Sequence, residues 1–143
     1  MTGVQEAQRR ATMLLEEGLL GGAPRSAQAL EPVPVVDPAG SEPRSWFIPI
    51  AVGDDLAGFA ELQLDLKLIR YSAFPQAADK AAWTDPTAIR ARAAAFAGDG
   101  ETLGEPVLSY DGEPSRLAWL VTATDSTGRT RNIFVAGDFV YEA

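Results

Sequence analysis

The stretch that most constrains the fold runs from Ser45 to Tyr71, SWFIPIAVGDDLAGFAELQLDLKLIRY. Trp46, Ile48, Ile50 and Val52 alternate with Phe47, Pro49 and Ala51, the period of an extended strand. Pro49 has no N–H to give to a ladder, which puts this strand at an edge or gives it a bulge. Gly53-Asp54-Asp55 supplies turn chemistry. Leu62, Leu64, Leu66 and Leu68 then alternate with Gln63, Asp65 and Lys67, which predicts a second strand with one wet face.

The C-terminal third repeats this plan. Glu31-Pro32-Val33 precedes the first hairpin and Glu105-Pro106-Val107 precedes the later strands. Trp46 lies 14 positions after Pro32, and Trp119 lies 13 after Pro106. Trp119, Val121 and Ala123 share a strand face, Asp125-Ser126-Thr127-Gly128 forms a turn, and the halves end in β-rich segments bearing Tyr71 and Tyr141. This reads as a tandem α-β-β-β pseudo-repeat.

A helical stripe of Val4, Ala7, Ala11, Leu14 and Leu15 opens the chain, with Thr2 as cap and Gln5 at capping-box spacing. Gly18 and Gly21-Gly22 end it. Residues 21–45 hold five of the ten prolines and read as an extended connector with one strand near Val33–Val36, held at an edge by its prolines. Residues 72–86 form a second connector with room for a helical turn. Asp85-Pro86 starts another helix, with Ile89, Ala93, Phe96 and Ala97 inward and Arg90 and Arg92 outward. Strands follow near 106–110, 117–124, 130–136 and 139–141, punctuated by Asp111-Gly112 and Gly137-Asp138. The expected fold is α+β: two helices on antiparallel sheet, divided into halves at residues 1–75 and 76–143.

What the chain lacks limits its chemistry. It has no cysteine and no histidine, which removes disulfides, thiol catalysis, Cys or His metal sites and Ser-His-Asp triads. Its net charge of −8 repels phosphate backbones and anionic lipid, so neither nucleic acid nor membrane is an expected partner. Without a leader-like apolar segment at its start, a cytoplasmic location is expected. No cofactor or metal is expected: Asp54-Asp55 lacks the further oxygen ligands a calcium site needs. Glu61 and Asp65, four apart on one strand, form a carboxylate pair suited to acid–base work, although Gln63 and Lys67 beside them describe an ordinary hydrated sheet face. Ser126 and Thr127 sit in a turn, outside any nucleophile elbow.

Helix 85–97, then EPVLSY and LAWLVTATDSTGRTRNIFVAGDFVY, resembles PepSY-type domains in layout: a helix, then antiparallel sheet with a Trp-bearing strand and a D-x-x-G hairpin. Trp119, Asp125, Gly128 and residues 133–135 carry the resemblance. PepSY-like and cystatin-like modules imply a binding or peptidase-inhibiting role without catalytic residues. The expected function is therefore a protein- or peptide-binding module, using edge strands to pair with a partner or, as a homodimer, with a second copy. Trp46, Tyr71, Trp119 and Tyr141 are the candidate binding surface. The alternative is a small-molecule binder or His- and Cys-independent enzyme, with those four aromatics lining a pocket between helix and sheet.

Overall fold

The computed structural model describes residues 3–24, 26–38 and 42–142. They form an α+β fold in two compact units, Met1–Val35 with Glu42–Lys80, and Val36–Ser41 with Ala81–Ala143. The boundary falls after Lys80 rather than at 75 because the last strand of the first unit runs on to Asp79.

The first unit contains helix α1 (Val4–Glu16) and strands β1 (Gln28–Ala29), β2 (Val33–Val36, all but its last residue), β3 (Pro43–Val52), β4 (Asp55–Gln63) and β5 (Leu68–Asp79). The sheet order is β1-β3-β4-β5, with β2 also on β3. Ala7, Ala11 and Leu14 of α1 are buried in one cluster with Trp46, Ile48 and Ile50 of β3 and Ala60 and Leu62 of β4. Each large aliphatic side chain buried there contributes roughly 1.5–3 kcal/mol. The helix starts at Gly3, whose N–H donates to Glu6 Oε2 at 2.9 Å; the expected cap, Thr2, lies outside the described residues. At the other end Leu19 N–H bonds to Leu14 O and Gly18 N–H to Leu15 O, with Gly18 at φ 71°. That is a Schellman stop, which needs a residue comfortable at positive φ.

The 45–71 stretch is three strands, not two. The leucine alternation breaks after Leu62: β4 ends at Gln63, and residues 64–67 turn the chain into β5. Gln63 N–H bonds to Lys67 O and Leu66 N–H to Gln63 O, while Lys67 N–H donates to Asp65 Oδ1 at 3.1 Å. Asp65 stabilises the turn by the local side-chain-to-backbone bond typical of Asp. Leu66 takes φ 74° there, which costs on the order of 1 kcal/mol in a non-glycine residue.

The second unit contains α2 (Ala81–Thr84), α3 (Pro86–Ala94), β6 (Thr102–Leu103), β7 (Val107–Tyr110), β8 (Leu117–Thr124), β9 (Thr130–Ala136) and β10 (Phe139–Glu142). Asp85 caps α3 as expected, accepting from Thr87 N–H at 3.0 Å. The helix stops at Ala94, so Phe96 leaves the apolar stripe and lies beneath Arg131, 5.6 Å from the guanidinium carbon to the ring centre. Arg90 and Arg92 are not idle outward charges. Arg90 donates to Leu103 O (2.7 Å) and Arg92 to Gly137 O (2.7 Å), tying the helix to β6 and to the β9–β10 turn.

Both sheets have one plan. The order β10-β9-β8-β6 with β7 also on β8 matches the first sheet strand for strand. Trp46 pairs with Leu62 and Ile48 with Ala60; Trp119 pairs with Val135 and Val121 with Ile133. Each residue of the second set lies 73 positions beyond its counterpart (119 − 46, 135 − 62, 121 − 48, 133 − 60). In each unit a helix side chain also bonds the last carbonyl of the two-residue strand, Gln8 to Ala29 O at 3.1 Å and Arg90 to Leu103 O at 2.7 Å. The two units thus share strand order and central register, each with five strands where the expected unit had three. Among the strands the sequence reading missed are β1 and β6, two residues each and too short for alternation to reveal.

Candidate functional site

The four aromatics expected to form a surface fall two in each unit, and both tryptophans are buried. Trp46 and Trp119 are 8 % and 4 % exposed, so both belong to cores. Trp46 faces α1 with Ile48 and Ile50. Trp119 sits on the second sheet, its Nε1–H donating to Trp83 O at 3.1 Å. Tyr71 packs on the same cluster as Trp46. Tyr141, paired with Phe134, stands on the sheet face opposite Trp119, which pairs with Val135. Its ring lies 5.6 Å from Phe134, and its hydroxyl donates to Asp111 Oδ2 at 2.9 Å. Burial, then the Asp111 carboxylate, pushes the Tyr141 hydroxyl above its ordinary pKa. Trp46 Nε1 and the Tyr71 hydroxyl are buried without a hydrogen-bond partner.

The expected carboxylate pair also separates. Glu61 is 5 % exposed; it accepts from Ser45 Oγ at 2.7 Å and Arg70 Nε at 3.1 Å, while the Asp65 carboxylate serves its turn. Arg70 completes the arrangement by lying over Phe59, 5.2 Å from the ring centre. Both partners of Glu61 come from neighbouring strands, which strand register places beside it but alternation within one strand could not reveal. Asp125 Oδ1 accepts from Thr127 N–H, Thr127 Oγ1 and Arg129 N–H, bonds led by the Thr127 hydroxyl that hold its pKa low. Ser126-Thr127 is therefore hairpin structure. Among the described residues no group of three or more Asp and Glu could hold a metal ion, and no helix is long and apolar enough to cross a membrane.

A further ionic cluster joins the second unit. Arg131 donates to both oxygens of Glu101 (2.9 and 2.7 Å), to Glu142 (3.2 Å) and to Phe96 O (3.1 Å), and Glu101 also accepts from Gly98 N–H. The Arg131 hydrogen bonds, then that of Gly98, hold Glu101 down to about 2. A depressed carboxylate stabilises the fold above its unfolded pKa, and that stabilisation is lost as pH falls toward the folded value. Urea midpoints of the wild type and Glu101→Gln should therefore differ most above about pH 5 and converge as pH falls from about 4.5 toward 2. A gap unchanged by acid would show that the ionic bond contributes nothing.

Two of the surface grooves include polar groups that are already spent. One of about 480 Å³ lies between α3 and β6, lined by Arg90, Glu101 and Glu105; Arg90 already binds Leu103 O and Glu105. Its counterpart between α1 and β1, about 470 Å³, is lined by Gln8, which already binds Ala29 O.

Among the described residues each sheet has two short strands side by side at one edge, β1 and β2 or β6 and β7, and a single outer strand at the other: β5 in the first and β10 in the second. The two differ. β5 contains Pro75, its register jumps from Ala73 to Ala78 opposite β4, and a second irregularity lies at Arg70/Leu68; proline and bulges are devices that blunt an edge. β10 pairs in unbroken register, Phe139 to Glu142 against Ala136 to Ile133. It contains neither proline nor lysine, and Phe139 is 75 % exposed, the highest of the large exposed hydrophobics. The sequence carried half of this signal, in a Gly137-Asp138 turn followed by a strand. That the strand is outermost was not visible.

Fold and edges together define a two-sheet α+β chain in which the outer strand β5 is blunted and the outer strand β10 is open. No family model, no curated protein and no solved structure matches it.

Proposed function

We propose that the chain is a non-catalytic protein- or peptide-binding module that takes up extended segments as an added strand on β10. The observation that carries this reading is the regular, unblunted β10 edge with Phe139 beside it. Backbone N–H and C=O groups of such an edge supply affinity, and side chains on alternate positions supply selectivity. A peptidase-inhibitor role is one form of this, since a peptidase groove also reads extended backbone. The absence of His and Cys supports the non-catalytic part. So do Glu101 and Asp125, whose lowered pKa values arise from structural bonds.

The test is selection from a displayed library of unstructured peptides on the full chain. Selected peptides should slow hydrogen exchange at 139–142 and lose at least roughly tenfold in affinity to Phe139→Lys, about 1.4 kcal/mol. A library that yields no peptide protecting those amides would defeat the reading. The second reading, a small polar ligand between α1 and the first sheet, is favoured by the two unpartnered groups Trp46 Nε1 and Tyr71 hydroxyl. It predicts that a metabolite screen raises the melting temperature and quenches Trp46.

A further inference from the structure

Two rows of side chains that cross the second sheet reach β10 still apolar, while a third, Val121–Ile133, ends in Glu142. On one face, Leu120 pairs with Phe134 and Phe134 with Tyr141; on the other, Trp119 pairs with Val135 and Val135 with Val140. Leu120 and Val140 are half-buried, Tyr141 likewise, and Phe139 is mostly exposed. A sheet that closes at an edge normally ends its rows in charge or covers them. Here the only charged group on the strand is Glu142, bonded to Arg131 at 3.2 Å.

We infer that the strand completing this edge is β10 of a second copy, antiparallel about a two-fold axis through Val140. This rests on the strand-addition reading and names the occupant. Such an axis perpendicular to the sheet keeps each face continuous, so positions whose numbers total 280 meet. Val140 meets Val140 of the second copy, extending the Trp119–Val135–Val140 row. Phe139 meets Tyr141 of the second copy, twice by symmetry, extending the Leu120–Phe134–Tyr141 row; aromatic cross-strand pairs stabilise by roughly 0.2–1 kcal/mol each.

At the flanks Asp138 meets Glu142 of the second copy. Each brings its own cation, since Arg92 lies 3.3 Å from Asp138 and Arg131 lies 3.2 Å from Glu142. Arg131 also binds Glu101, so each end holds three carboxylates and two guanidinium groups; each facing carboxylate keeps its own cation, and one net negative charge is left to screening by salt. The neighbouring face-preserving registers are worse. Centring on Tyr141 sets Glu142 opposite Val140, and centring on Phe139 sets Asp138 there, each placing a carboxylate against an apolar row. The register is therefore set by pattern, as it is wherever a strand has distinct faces.

Four residues per strand make a small interface, of the weak and transient class. The copies each carry −8, so screening by salt should strengthen the dimer rather than weaken it. Sedimentation of the full chain from about 1 to about 500 µM should show a reversible monomer–dimer equilibrium with a midpoint of roughly tens of micromolar, tighter at higher salt. Phe139→Lys should move the midpoint upward at least roughly tenfold, with an unchanged circular dichroism spectrum because the side chain is exposed. Ile69→Lys, on the blunted β5 edge, should leave it unmoved. A monomer throughout that range overturns the dimer, as does a dimer sensitive to Ile69→Lys and indifferent to Phe139→Lys. A monomer whose 139–142 amides are still protected by selected peptides overturns the second copy as occupant and leaves the strand-addition reading standing.

Discussion

Arg70→Met is expected to destabilise the first unit by about 2–4 kcal/mol, one of the two largest single-site effects anticipated here. The wild-type pair is Arg70 Nε to Glu61 Oε1 at 3.1 Å, with side-chain exposures of 28 % and 6 %. Removing the cation strands a carboxylate that water barely reaches, and Ser45 Oγ alone satisfies one of its oxygens. Breaking a fully buried pair costs roughly 3–5 kcal/mol; the lower figure reflects the partial exposure of Arg70. Loss of the guanidinium from the Phe59 face adds to the effect. If the cost lies in the stranded charge, Glu61→Gln added to Arg70→Met should recover more than half of it. Urea unfolding followed by hydrogen exchange of the β3–β5 amides would measure both. A double variant no more stable than Arg70→Met would show that Arg70 acts by packing alone.

This network also marks where sequence reading stops. Strand existence was legible at 46–52 and 117–124 because alternation is local, and the helix at 85 was legible because Asp-Pro is a local start signal. The fate of Leu64, Leu66 and Leu68 was not. Their alternation continues that of Leu62 without a break, and only the turn bonds around Asp65 and the positive φ at Leu66 end the strand. The two tryptophans were placed in strands correctly, although β3 begins at Pro43 and β8 at Leu117, yet which face they occupy depends on what packs there. The α1 stripe takes up Trp46 and the Trp83 carbonyl takes up Trp119. That β5 and β10 are outermost depends on strand order, which no residue within either strand encodes.

Gly58→Val should be as damaging as Arg70→Met, about 3 kcal/mol or more, and for a reason confined to backbone geometry. Gly58 is buried on β4, between Ile50 of β3 and Ala73 of β5. A Cβ built there would strike the Ser72 carbonyl oxygen, and would come within 2.7 Å of the Tyr71 hydroxyl oxygen and 2.9 Å of its ring carbon. Tyr71 leans across the glycine, so the tyrosine supplies the side-chain cover that position 58 lacks. A clash with a side chain can be relieved by a rotamer change, whereas a clash with a strand carbonyl requires β4 and β5 to part. Trimming the tyrosine therefore separates the two contributions. If the carbonyl dominates, Tyr71→Ala added to Gly58→Ala should not restore stability, and hydrogen exchange should quicken along β5. Recovery in that double variant would place the constraint on the tyrosine instead. Tyr71→Phe alone should be neutral or mildly stabilising, because it removes a buried hydroxyl that has no partner. A clear loss of stability in that variant would mean that the hydroxyl is bonded, and would direct attention to a ligand held beside Trp46.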